Sequence, residues 1–384
     1  MTLKKITGKL HLWLGLASGI IVCFLGITGC ILVFEKEIET LTLPEQFVTA
    51  EAAAYAPPST LKSNAEKALG KGRTVVGIDY IARDRAAIAY YYNAEEYFQV
   101  FLNPYSGKVL KVKNMNRDFF RVVINGHFYL WLPPKVGQPI VASATLIFVV
   151  MLITGIILWW PRNKAARKQR FSVKWDASPK RKNYDLHNVG GFYASFIVIF
   201  IALSGLVMGF QWFANTVYFV SSGGKSMPAF PEVVSDTTRF TKSSSAFATT
   251  DFIFQKRTAD IQPDESIGVE FPATKDAAIE LSINHNADAY YNRDNYYYDQ
   301  HSLKEIHPGG VYAGAFKEAS IAAKIQRMNY DIHVGSIGGL STKILAFCGS
   351  FVAASLPVTG FLIWKGRRKK KKPEQKVQKT LANA

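Results

Sequence analysis

Residues 10–34 read LHLWLGLASGIIVCFLGITGCILVF, and residues 186–210 read LHNVGGFYASFIVIFIALSGLVMGF. Each is an apolar run long enough to cross a hydrocarbon core of about 30 Å as a helix of about 20 residues. Both open on Leu-His, at Leu10-His11 and Leu186-His187. Both place a glycine four residues later, at Gly15 and Gly191, and a hydroxyl-glycine pair near the far end, at Thr28-Gly29 and Ser204-Gly205. Two further runs, 139–160 and 340–364, carry Thr154-Gly155 with Trp159 and Thr359-Gly360 with Trp364. Arg121 precedes His127, and Arg327 precedes His333, by the same six residues. The recurrence predicts an internally duplicated integral membrane α-helical chain with four transmembrane helices.

Charge placement predicts the orientation. The chain carries a formal +17, with 46 Lys and Arg against 29 Asp and Glu. Twenty-one of those basic residues and three acids sit in residues 1–9, 161–186 and 365–384. Basic residues flanking transmembrane ends stay on the cytoplasmic side. Both termini and the middle loop are therefore expected inside, with the long loops outside. The expected organisation is a first span ending at 34, an outer domain over 35–138, a second span over 139–161 and a basic loop over 162–183. A third span over 184–213, an outer domain over 214–332, a fourth span over 333–364 and a basic tail over 365–384 follow. The run of basic residues at 367–372 reads as a tail facing lipid headgroups, not nucleic acid. Cys23, Cys30 and Cys348 all fall in spans, which leaves the outer loops without disulfides.

Each outer loop reads as a small α+β unit. In the first, a helix over 61–69 precedes strands near 75–80, 86–92 and 97–102, with a turn at 103–107. In the second, strands are expected near 267–271, 278–283 and 296–299.

The histidines carry the chemistry. His11 and His187 open spans one and three, while His127 and His333 stand just before spans two and four. If the repeats share one orientation, equivalent histidines lie at equal depth, one pair near each membrane surface. Interfacial anchoring explains a single such histidine; four at repeated positions point to ligation, because ionisable groups in membrane helices mark function. Facing imidazoles hold a metal or a haem iron. Zinc sites commonly take three or four protein ligands, whereas each layer here offers two histidines, which suits the two axial positions of a haem. Glycines at both depths serve either close helix packing or the approach of a flat macrocycle. No dinucleotide-binding glycine fingerprint occurs, so neither a flavin nor an NAD(P) domain is expected.

These residues resemble the PepSY-associated transmembrane family, described as iron-regulated membrane proteins. The likeness runs through Leu10-His11, Gly15, Thr28-Gly29, the turn at residues 103–109 (NPYSGKV), Arg121 with His127, Leu186-His187, Ser204-Gly205, and Arg327 with His333 and Thr359-Gly360. Members with an assigned role include ferric-siderophore reductases that carry b-type haems on histidines and have PepSY-like outer domains. The resemblance implies two haems b, with His11, His187, His127 and His333 as axial ligands and Arg121 and Arg327 as candidate propionate contacts. It also implies two PepSY-like outer domains, a separate electron donor (a quinol or a cytoplasmic reductase) and a ferric siderophore or other Fe(III) chelate as substrate. On that reading the chain is a haem-dependent oxidoreductase. An anchored PepSY-type regulator and a siderophore permease without redox chemistry are the alternatives.

Overall fold

A computed structural model of the chain describes residues 2–368 apart from 162, 164–166, 168, 169, 231, 240–245 and 287. The tail from 369 onward, expected to be basic and headgroup-facing, lies outside the described residues. Helices α1 (Leu3–Leu32), α2 (Glu35–Thr42), α3 (Pro58–Leu69), α4 (Phe119–Tyr129) and α5 (Pro134–Trp159) come first. They are followed by α6 (Pro179–Gly209), α7 (Gln211–Ser221), α8 (Ala246–Thr258), α9 (Ile321–Val334) and α10 (Leu340–Arg368). The chain divides into two compact units, one comprising Met1–Phe34, Val123–Phe213 and Ile332–Ala384, the other Glu35–Val122 and Ala214–Asp331.

The first unit is a bundle of the four helices long and apolar enough to span a membrane, α1, α5, α6 and α10. Helix α1 packs on α5 and α10, and α6 packs on the same two. Apolar side chains fill the middle, among them Val22, Phe148, Leu152, Val198, Leu206 and Ala353. Buried hydroxyls in these helices donate to their own backbone, as Ser18 does to the Leu14 carbonyl at 2.9 Å, because an apolar surround offers them no water. Small residues let α1 and α10 approach closely: a Cβ on Gly26 would lie 2.8 Å from both Ala354 Cβ and the Ser350 carbonyl oxygen.

The second unit is one antiparallel sheet of eight strands in the order β4-β3-β2-β1-β5-β6-β7-β8. Strands β1 (Gly77–Tyr80), β2 (Ala87–Tyr92), β3 (Tyr97–Leu102) and β4 (Val109–Asn114) come from the first loop. Strands β5 (Ser266–Glu270), β6 (Ile279–Asn284), β7 (Arg293–Tyr298) and β8 (Glu305–Ile306) come from the second. The loops join where β1 pairs with β5, Gly77 opposite Glu270 and Ile78 opposite Val269. A Cβ at Gly77 would stand 2.8 Å from the Val269 carbonyl oxygen, so this junction needs a glycine. Alternating residues Ile78, Tyr80, Ala89, Val100, Ile267 and Leu281 turn to one face and pack with Leu61 of α3 and Phe254 of α8. The Asp251 carboxylate on α8 accepts from Ser59 N at 2.9 Å and from its hydroxyl, holding the first turn of α3.

The opposite face of the sheet carries an apolar cluster of Leu43, Ala86 and Phe101 beside polar groups. Asp79 accepts from the Tyr90 hydroxyl. Burial, reinforced by Glu270 and opposed by Arg293, pushes its carboxyl up to about 6. Just past the end of β6, His285 lies between two acids, its Nδ1 at 2.5 Å from Glu265 and its Nε2 at 2.9 Å from Asp294. Only the imidazolium can donate to both. Burial works against that charge, but the two carboxylates outweigh it and raise the pKa above 6.5.

Candidate functional site

The hydroxyl-glycine pairs are where the sequence pattern becomes geometry. In all four, the hydroxyl donates to a carbonyl one turn back in its own helix. Thr28 bonds the Phe24 carbonyl at 2.9 Å, Thr154 the Val150 carbonyl at 2.9 Å, Ser204 the Phe200 carbonyl at 2.8 Å and Thr359 the Ser355 carbonyl at 3.0 Å. With its proton so committed, each oxygen can only accept from a further neighbour. That neighbour is a histidine Nδ1 every time. Thr154 meets His11 at 2.9 Å, Thr359 meets His187 at 2.9 Å, Thr28 meets His127 at 2.8 Å and Ser204 meets His333 at 3.2 Å. The Ile201 carbonyl, also an obligate acceptor, lies 2.9 Å from His333 Nδ1. Nδ1 is therefore the protonated nitrogen, and Nε2 carries the lone pair a metal needs. Among the described residues none offers a hydrogen bond to any of the four Nε2 atoms.

The adjoining glycines make room for the rings. A Cβ would come within 3.4 Å of His11 Cε1 at Gly155, 3.1 Å of His187 Cε1 at Gly360, 3.1 Å of His333 Cε1 at Gly205 and 3.8 Å of His127 Cε1 at Gly29. The sequence leaves these glycines open to helix packing or to a macrocycle. In the structure their nearest role is to let an imidazole lie edge-on against a helix backbone.

Two pairs result. His11 and His187 face each other with ring centroids 6.5 Å apart and planes at 84°; His127 and His333 do so at 6.2 Å and 65°. A metal–imidazole nitrogen bond is about 2 Å, and the ring centre lies about 1 Å further. Two imidazoles on opposite sides of one metal ion thus have centroids about 6 Å apart. Among the described residues no group of three or more His, Cys, Asp or Glu could hold a metal ion. The donor set at each layer is two nitrogens, the number an iron requires when a tetrapyrrole supplies the other four. Space is present at the first pair: a cavity of about 420 Å³ is lined by His11, His187, Gly15, Gly155, Gly191 and Gly360. The residues present fit a haem.

The two arginines paired with histidines in the sequence lie in the sheet unit. Arg121 stands over the Tyr97 ring at 5.3 Å. Arg327 is buried, and its guanidinium donates to the carbonyls of Val311 and Ala313 at 2.7 Å each, with longer contacts to those of Gly314 and Arg293. It braces the 311–314 segment, which occupies the donors a propionate would use. Sequence reasoning missed the hydroxyls Thr28, Thr154, Ser204 and Thr359 as imidazole partners. Their recurrence beside glycine was the available signal.

A search of curated proteins finds no match. Residues 9–367 match the family described as the PepSY-associated TM region; together with four membrane-length helices, that match makes this chain a multi-pass membrane protein belonging to the PepSY-associated TM family.

Proposed function

We propose that the chain is a transmembrane electron conduit with two b-type haems, one held by His11 and His187, the other by His127 and His333. The observation that carries this is the fourfold arrangement of tied Nδ1 and open Nε2, met as two facing pairs at the spacing of a shared iron. Bound there, haem supplies one-electron chemistry between Fe(III) and Fe(II). The protein's own contribution is orientation and exclusion of water. Thr28, Thr154, Ser204 and Thr359 set the tautomer, and the apolar side chains around Val22, Phe148 and Leu152 keep the interval between the layers dry. His11 and Thr28 sit on one helix, seventeen residues or about 26 Å apart, so the two sites lie toward opposite ends of the bundle.

In this reading the basic segments hold His11 and His187 at the cytoplasmic side of a bacterial inner membrane. A quinol or a separate cytoplasmic reductase supplies the electron, and a ferric siderophore or other Fe(III) chelate outside accepts it, becoming Fe(II). Each half of the sheet unit, α3 with β1–β4 and α8 with β5–β8, is read as a PepSY-like repeat of a duplicated chain. The test is a dithionite-reduced minus oxidised difference spectrum of the purified chain with pigment quantitation. The expected result is a low-spin b-type signal at about two haems per chain. A folded chain that takes up none under haem supplementation overturns the reading.

A further inference from the structure

The cavity between His11 and His187 is apolar along most of its wall, with Leu12, Leu16, Phe148, Leu152, Phe192 and Phe361 among its lining. Among the described residues its charged lining is Lys4, Arg170 and Arg367, with no Asp or Glu. Their position follows from helix geometry. Lys4 precedes His11 by seven residues on α1, and Arg367 follows Gly360 by seven on α10. Seven residues make about two turns and about 10 Å, so each cation shares a face with the residue at the ring level. Both are displaced from that level toward the same end of the bundle. Arg170 reaches this end by another route: its Nη1 donates to the carbonyls of Trp159 and Leu158 at 2.7 and 3.3 Å, closing the last turn of α5.

A cavity that is apolar along most of its wall, and whose charged lining among the described residues is all cationic and lies toward one end, suits a flat apolar ligand with carboxylates along one edge. We infer that Lys4 and Arg367 form the carboxylate subsite of the His11–His187 site, so that its tetrapyrrole stands with both propionates toward the end of the bundle where α1 begins and α10 ends. Cations there stabilise ionised carboxylates and hold them ionised across neutral pH. This inference rests on the haem reading and names the residues that orient the group.

The test uses the full chain with His127→Ala and His333→Ala, so that one site is observed. It is titrated with haem b and with its dimethyl ester, in which both carboxylates are masked, following the six-coordinate low-spin spectrum. The expected result is about tenfold weaker uptake of the ester, with the difference abolished by Lys4→Gln combined with Arg367→Gln. The charge-conserving pair Lys4→Arg and Arg367→Lys should keep it. In the neutralised variant the reduction potential should also gain a pH dependence near neutrality that the parent lacks, as the propionates begin to titrate. Equal uptake of haem b and ester by the parent overturns the subsite while leaving the haem reading intact. If haem b itself does not bind this chain and does not bind the unsubstituted protein, the haem reading fails first.

Discussion

Gly360 and Gly29 occupy equivalent positions in the sequence pattern but differ in how much room they leave. A methyl group at Gly360 would meet His187 Cε1 at 3.1 Å, and one at Gly29 would meet His127 Cε1 at 3.8 Å, an ordinary contact. Gly360→Ala must therefore displace its ring by a few tenths of an ångström, and Gly29→Ala need not. The expected outcome is loss or broadening of the low-spin signal from the His11–His187 site in the first variant and a near-native spectrum in the second. Thr359→Val keeps the side-chain volume but leaves His187 Nδ1 without its hydroxyl acceptor. Loss of such an outer partner typically weakens a metal site by about 10- to 100-fold, measurable as haem retention on dilution. The histidines themselves were legible, because duplicated spacing singles them out. Their partners were not: which hydroxyl meets which imidazole depends on the neighbours each helix takes in the bundle, and a helical repeat carries no record of that.

Elements were legible to the extent that their signal was local. Strand β3 runs over Tyr97–Leu102, as alternation and the following turn predict. Strand β4 was not read, since Lys111 and Lys113 interrupt the apolar pattern; in the fold their ammonium groups pair with Glu45 at 3.1 Å and Glu39 at 2.7 Å. Helix α1 begins at Leu3, well before the apolar run at residue 10. Hydropathy marks the part that needs lipid, whereas lysine is a good helix former and extends the helix beyond it. In the sheet, Asp79 sets a pH dependence. Its pKa of about 6 in the fold exceeds the ordinary 3.8, so the folded state favours the protonated acid. Stability of the sheet unit should therefore fall as pH rises from about 4 to about 6, by roughly 2–3 kcal/mol. His285 acts in the same direction, because a group with a raised pKa contributes below its unfolded value and loses that contribution as pH rises through the folded one. Asp79→Asn should raise the unfolding midpoint at pH 7.5 and leave it nearly unchanged at pH 4. An equal shift at both would remove Asp79 as the cause.

At the scale of the whole molecule, the sequence shows recurring motifs but not how the segments that carry them combine. Nothing in the segments 35–122 and 214–331 marks β1 and β5 as neighbours, because strand pairing is a long-range choice and an edge strand looks like any other. The same holds inside the bundle, with a consequence for how the protein is assembled. Helix α1 offers His11 at one end and Thr28 at the other, and α6 likewise offers His187 and Ser204. Each layer is thus bolted through the same two rods. A slip of either rod along its axis would unfasten both layers at once, and on the proposed two-haem reading filling one layer would lock the rods in the register that the other requires. Loading should consequently be cooperative: the first equivalent added to the apo-protein ought to yield mostly empty and doubly filled chains, with few half-filled ones, a distribution that native mass spectrometry resolves. A binomial distribution would mean that the rods are already rigid when empty. Where cofactor is scarce, interlocked sites would concentrate it in fully wired molecules, so that a limited supply makes fewer complete conduits instead of many broken ones.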